Sequence, residues 1–470
     1  MKRPLLLIIA AGLVFITLPL FFERLHSDEV IYWEVAKNIS IGLGPISETS
    51  GNSIFSWHMP LAFYIVAPFL KLSAHIFTAR AVSSFFTIAS AVLIFLICRK
   101  RAGADEALIS ALLFIFSFQV LRFGGRYYLD QYGLFFFLLS LYLLHEERFF
   151  ISGTVAVTAV AAREYWAGVY PFLLLYLGLR DRRALPGFIL TAAAVTLFFT
   201  LYTVYSKDSY GLWRYLAGGA ALDNIKASVS GVVAYPLARG WVEFSVLNIL
   251  TLAGFFAAFR IDKSHIVIVI PQVIVISLIH GFVLEGGVTQ YPLALIGTLA
   301  VYSGPGLKNL YDRLIGPING RQRFKSVVLL VVAAQFVFFN AFSTAVSLHK
   351  NLGVYGFGYG DDREVISILN REAKGEFIHG IWGAFVEKRG RWDWTDYLVQ
   401  EAVEKDPDWL VTYDNYVEVI GGQNGSAGFT VYRVGPYVMI HSRHRGPLKG
   451  FVRSKVFPKW TLRTGVKVKD

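Results

Sequence analysis

The chain has 470 residues, of which 55% are hydrophobic and only 17% charged, with a formal net charge of +12 and a mean hydropathy of +0.50. An ordinary soluble domain carries roughly 25% charged residues, so a single soluble globule and a disordered chain are both excluded. The lone cysteine, Cys98, excludes a disulfide scaffold. Apolar stretches recur through the first three quarters of the chain, the pattern of a polytopic α-helical membrane protein.

The first apolar run, Pro4 to Phe22, follows Met1-Lys2-Arg3 and lacks the small residues of a cleavage site, so it reads as a retained membrane helix with a cytoplasmic N-terminus. Residues 23 to 57 are polar and mixed. Pro60 to Leu72, interrupted by Pro68, is short of the roughly 20 residues a span needs, and reads as an interfacial helix within the first outer loop, 23–77. Thr78 to Cys98 then runs inward and ends at Arg99-Lys100-Arg101, where the positive-inside rule wants it.

Later runs alternate. Ala104 to Val120 goes out, Tyr132 to Leu144 returns, Phe149 to Ala162 goes out, and Trp166 to Leu179 returns to the cluster Arg180-Asp181-Arg182-Arg183. Pro186–Tyr205 and Ile266–Leu284 go out, while Val233–Phe259 and Tyr291–Val301 return. The inner loop Lys308 to Lys325 is basic, and Ser326 to Leu348 exits. Roughly eleven helices result, in a membrane domain over 1–348. An odd count places a second domain, 349–470, outside the cell membrane.

That second domain reads as small, soluble and α/β. Asp361 to Ala373 has helical spacing, and the segments starting at Trp409, Phe429 and Tyr437 read as strands. The stretch from His441 to Asp470 holds nine Lys/Arg and one acid, a solvated basic tail or a contact for anionic headgroups. No interleaving of aromatic and basic residues points to nucleic acid.

Asp28-Glu29 lies just outside the first helix, either as solvated loop acids or as working carboxylates beside the interfacial pair Tyr32-Trp33. Arg122, Arg126, Asp130, Arg163 and Glu164 all fall at outer helix ends, where arginines run against the positive-inside bias and ionisable groups are functional candidates. Arg126 and Asp130 also have the i, i+4 spacing of a helical salt bridge. His58 opens His58-Met59-Pro60-Leu61; no metal-ligand spacing surrounds it, so a divalent metal is unsupported. Tyr291 lines a lipid groove or is a plain interfacial aromatic.

Asp28-Glu29 after the first helix, His58-Met59-Pro60-Leu61, Ala79-Arg80 opening the second helix and Arg126-Tyr127-Tyr128-Leu129-Asp130 after the third form an ordered set. It resembles the C-type (GT-C) membrane glycosyltransferases, more narrowly the protein O-mannosyltransferase and aminoarabinose-transferase group. Met59 departs from that group's usual second proline. The resemblance covers about residues 1 to 348. It implies an inverting transfer of a sugar from a polyprenyl- or dolichyl-phosphate carrier in the membrane lipid to a hydroxyl acceptor on protein, lipid or glycan. By that resemblance Asp28 is the base and Glu29 orients it or the acceptor. Arg126 and Arg163 are the candidates to meet the lipid phosphate, with His58 and Asp130 of the same motifs on the substrates; Glu164 and Tyr291 join them from their place at outer helix ends. Phosphate leaves readily, so no general acid is required, and the lack of a second acidic metal-binding motif argues against an essential ion or other cofactor.

The rival class is a polytopic transporter or lipid flippase. It calls for two related halves and charges deep within spans, whereas the charges here gather towards one face.

Overall fold

The computed structural model describes residues 2–47, 53–54, 58–170, 292–315, 359–393, 404–414, 417–419, 429–442 and 452–454, with scattered positions in 173–201, 251–257 and 326–330. The helices expected over 266–284 and 326–348, most of that over 233–259, the boundary at 348/349 and Tyr291 lie outside the described residues. In chain order the helices are α1 (Lys2–Gly12), α2 (Ser27–Ser40), α3 (Leu61–Leu72), α4 (Ile76–Arg101), α5 (Ala104–Ile115), α6 (Phe118–Phe123), α7 (Asp130–His145), α8 (Phe149–Ala162), α9 (Pro292–Ile315) and α10 (Tyr359–Glu372). Two compact units result: Met1–Leu20 with Ser56–Gly356, and Phe21–Phe55 with Phe357–Asp470.

In the first unit, α1 continues through a π turn and a 3-10 turn around Pro19 to Phe21. Its 20 residues rise about 30 Å, the thickness of a bilayer's hydrocarbon core. Ile8, Gly12, Ile16 and Leu20 are buried at a spacing of four, while Leu6, Leu7, Leu13, Val14 and Leu18 remain exposed. An apolar stripe of that length left outside a folded unit suits lipid rather than water. The 26-residue helix α4 is also long and apolar enough to cross. At 12 residues, α3 rises only about 18 Å, too short to span alone.

Two expected spans differ in the structure. Ala104 to Val120 is not one helix: α5 stops at Ile115, and α6 starts after Ser117, whose extended backbone and Oγ bond to the Phe114 carbonyl (2.8 Å) favour a helix start over continuation. Tyr291 to Val301 was expected to end before a basic inner loop. Instead α9 runs on to Ile315, with Lys308 pairing to Asp312 and Arg313 Nε donating to Asn309 (2.8 Å), both at i, i+4 spacing. Gly304 is what lets α9 lie against α5: its N–H donates to Ser110 Oγ at 2.9 Å, and a Cβ there would sit 2.1 Å from the Glu106 carbonyl oxygen. Between α7 and α8, Ser140 and Ser152 exchange hydroxyl bonds to each other's carbonyls at 2.8 Å, the close approach that small polar residues permit between apolar helices.

The second unit is built on a five-stranded mixed sheet. Its strands, with β1 (Ile46–Ser47) and β2 (Ser53–Ile54) forming a separate hairpin, are β3 (Ile378–His379), β4 (Trp392–Asp393), β5 (Trp409–Tyr413), β7 (Phe429–Val434) and β8 (Tyr437–Ser442). The order is β4-β3-β5-β8-β7, parallel among the first three and antiparallel thereafter. Trp409, Leu410, Val411 and Thr412 on the central strand are all buried, as expected of a strand covered on both faces. The last stretch is not wholly a tail: His441 and Ser442 complete β8, and β9 (Val452–Ser454) pairs antiparallel with β6 (Val417–Val419).

Residues 23 to 57 also differ from the loop expected in the membrane domain. They contain the 14-residue helix α2, and Phe21–Phe55 packs with the sheet unit. Trp33 stacks on Phe385 with ring centroids 4.7 Å apart, and the Leu25 N–H donates to Asp362 Oδ2 at 2.8 Å.

Candidate active site

In the first unit, the connection from α6 to α7 is a loop with Gly124-Gly125-Arg126-Tyr127-Tyr128-Leu129, not a helix. The i, i+4 argument for an Arg126–Asp130 helical pair therefore does not apply, because only Asp130 is helical. Gln131 ties the loop down: its Nε2 donates to the carbonyls of Phe123 (2.6 Å) and Arg126 (2.9 Å). Tyr127 and Tyr128 are fully buried beneath it, and Arg126 is 6% exposed.

Asp130 opens α7, and its ion partner is Arg163, with Nε 3.3 Å from Oδ1. Both are 1% exposed. Arg163 ends α8, where its extended backbone turns the chain into a 3-10 turn over Glu164–Gly168. Its Nη1 lies 2.7 Å from His58 Nδ1 and 3.4 Å from Glu164 Oε1, and His58 Nδ1 is also 2.8 Å from Glu164 Oε1. A single ring nitrogen cannot accept from Arg163 and donate to Glu164 at once, so the proton on Nδ1 selects one bond or the other.

Four expected residues, His58, Asp130, Arg163 and Glu164, are thus brought together from the loop before α3, the start of α7 and the end of α8. Gly133 makes room for them: a Cβ there would be 2.4 Å from Trp166 Nε1 and 2.9 Å from Arg163 Cβ. Trp166, stacked on Phe137 at 4.2 Å, and Gln131 were not foreseen. Their sequence offers no signal beyond lying next to ionisable neighbours.

Burial would raise the Glu164 carboxyl, but Arg163 and then His58 outweigh it and hold it down at about 2, from an ordinary 4.5. A carboxylate depressed by folding stabilises the fold above its unfolded value and loses that contribution as pH falls through the folded one. Glu164→Gln is therefore expected to abolish a roughly 3 kcal/mol loss of stability between pH 4.5 and about 2, read as thermal unfolding in detergent against pH.

Asp28 and Glu29 lie in the second unit, in the first turn of α2. Glu29 is fully buried, and its Oε2 accepts from the His26 N–H at 3.3 Å, bracing the helix start. Asp28 beside it is half-buried. Among the described residues no group of three or more His, Cys, Asp and Glu side chains is placed to hold a metal ion. The first unit thus holds two buried guanidinium groups, Arg126 and Arg163, the latter directed by Asp130, Glu164 and His58, and the second holds a partly accessible carboxylate, Asp28.

No protein-family model and no curated protein sequence matches the chain. Solved structures do. A structure of ArnT from Cupriavidus metallidurans bound to undecaprenyl phosphate is similar over 93% of this chain and 97% of its own, with a TM-score of 0.58 at 13% identity. ArnT from the same organism in the apo state gives 0.55 at 10% identity over the same shares. The Archaeoglobus fulgidus oligosaccharyltransferase, in complex with Zn and sulfate, gives 0.56 at 12% identity over 87% of this chain and 68% of its own. In fold, then, this chain resembles these ArnT and oligosaccharyltransferase structures along most of its length.

Proposed function

We propose that the protein is a membrane glycosyltransferase that moves a sugar from a polyprenyl- or dolichyl-phosphate carrier to a hydroxyl group of a protein, lipid or glycan, with inversion. The observation that carries this reading is the fold shared with an undecaprenyl-phosphate-bound ArnT in a chain that buries Arg126 in the loop before α7 and Arg163 at the end of α8.

In this reading Asp28 takes the proton of the acceptor hydroxyl as its oxygen attacks the anomeric carbon. The carbon–oxygen bond to phosphate breaks from the opposite side, and its electron pair leaves with the lipid phosphate. Arg126 and Arg163 meet the charge that grows there, a task for a group that is always protonated and able to bind phosphate in a bidentate manner. Asp130 and Glu164 hold Arg163 in one direction, and Glu29 fixes the helix turn that carries Asp28. Tyr291 contributes to the carrier groove. In this reading the N-terminus is cytoplasmic, and the chemistry and the second unit are on the outer side; the basic clusters Arg99-Lys100-Arg101 and Arg180-Asp181-Arg182-Arg183 support that sidedness. The apolar carrier explains the membrane fold: its tail stays in lipid while its head reaches water.

The test is carrier binding. Undecaprenyl phosphate in detergent is expected to bind the wild-type protein, and Arg126→Ala to weaken binding by about a hundredfold, the scale of a lost charge-assisted phosphate contact. Equal binding by both proteins removes Arg126 from the donor site, and absence of binding by the wild type overturns the carrier.

A further inference from the structure

The segment that carries Asp28 is gripped on both sides by the sheet unit, and the grip centres on one carboxylate. Asp362, in the first turn of α10, is fully buried. Its Oδ2 accepts the Leu25 N–H at 2.8 Å and its Oδ1 accepts the Tyr437 hydroxyl at 2.8 Å. Leu25 lies three residues before Asp28, and Tyr437 opens the inner strand β8. The neighbouring Asp361 takes Arg24 Nη2 at 2.9 Å, and the Arg24 guanidinium lies 5.5 Å from the centre of the Tyr437 ring. The Tyr359 N–H donates to the Phe22 carbonyl at 3.2 Å.

On the far side of Asp28, Trp33 stacks on Phe385, and Glu34 lies 3.9 Å from Arg389. Residues 22, 24, 25, 33 and 34 are therefore each bonded or stacked to the chain more than 300 residues later, and Asp28 is the accessible acid in the stretch between. Burial, followed by the nearby Tyr413 and Asp362, holds the Tyr437 hydroxyl protonated well above its usual range, so it remains a donor to Asp362.

We infer that Asp362 is a positioning residue for glycosyl transfer, fixing the helix turn that carries Asp28 through its paired bonds to Leu25 and Tyr437. This rests on the proposed role of Asp28 as the base. A buried carboxylate that has two donors from distant segments specifies one arrangement of both. Asparagine in its place has one carbonyl oxygen, so it satisfies one donor and turns an N–H₂ towards the other. A base displaced by about an ångström loses reaction rate without losing substrate.

The experiment measures transfer of a radiolabelled sugar from its polyprenyl phosphate, in the full-length protein, for Asp362→Asn, Tyr437→Phe and Asp28→Asn. Asp362→Asn and Tyr437→Phe are expected to lower kcat on the order of tenfold, with donor KM and undecaprenyl phosphate binding within about twofold of wild type. Tyr437→Phe removes a single hydroxyl and keeps the packed ring, so it decides the matter should Asp362→Asn fail to fold. Unchanged kcat in a folded variant overturns the inference, and so does a parallel loss of donor binding, which marks a merely structural role. Full transfer by Asp28→Asn instead sinks the reading of Asp28 itself, whatever the other two variants do.

Discussion

Asp28→Asn is expected to slow glycosyl transfer by about a thousandfold, within the range that a positioned general base contributes, while leaving carrier binding at the wild-type level. Asn keeps the shape and hydrogen-bonding reach of Asp but cannot take a proton. The helix turn that carries it stays braced by the Glu29 bond to the His26 N–H, so the protein is expected to unfold at the parent temperature. Initial rates with a lipid-phosphate sugar, beside a thermal melt, make the measurement. A variant that transfers at the parent rate shows that Asp28 is not the base, and one that loses carrier binding shows that the residue acts on the donor.

Arg163→Ala carries the second large effect, and it falls on stability as well as on the donor. Arg163 and Asp130 are each 1% exposed and joined at 3.3 Å, and Glu164 Oε1 is 3.4 Å from the same guanidinium. Removing the cation strands a buried carboxylate, a change that costs about 3–5 kcal/mol. Arg163→Lys keeps a charge but not the fork that reaches Asp130 through Nε and His58 through Nη1, so it is expected to recover only part of the loss. A combined Arg163→Ala, Asp130→Asn protein removes both charges of the pair and is expected to regain stability without regaining carrier binding. Thermal unfolding in detergent and binding of undecaprenyl phosphate separate the two effects; equal stability of Arg163→Ala and wild type overturns the ion-pair account.

What the sequence makes legible is what local pattern controls. The helix over Phe149–Ala162 starts and ends as expected because its apolar run is bounded by Arg148 and Arg163. The strands at Trp409, Phe429 and Tyr437 follow from β-branched and aromatic runs with a Gly435-Pro436 turn between the last two. The helix break at Phe116-Ser117 escapes hydropathy, since both flanks are apolar and a serine hydroxyl decides it. The extension of α9 to Ile315 escapes the inside-loop argument, since charges at i, i+4 support a helix as readily as they solvate a loop.

In the candidate site, ionisable types near helix ends single out residues that the fold brings together, His58, Asp130, Arg163 and Glu164, but not which of them pair. Asp130 pairs with Arg163, 33 residues on, rather than by helical spacing with Arg126. That pairing is set by the packing of α7 against α8, which residue spacing does not encode. In sequence Asp362 is only the second residue of a segment with helical spacing; its bond to the Leu25 N–H spans 337 residues of chain.

The second unit is discontinuous: its pieces, Phe21–Phe55 and Phe357–Asp470, are written on either side of the long stretch Ser56–Gly356 of the first. Recombination that exchanged only the carboxy-terminal stretch between two such chains would leave Leu25 and Trp33 facing foreign partners. A graft that keeps these contacts must therefore carry both pieces together.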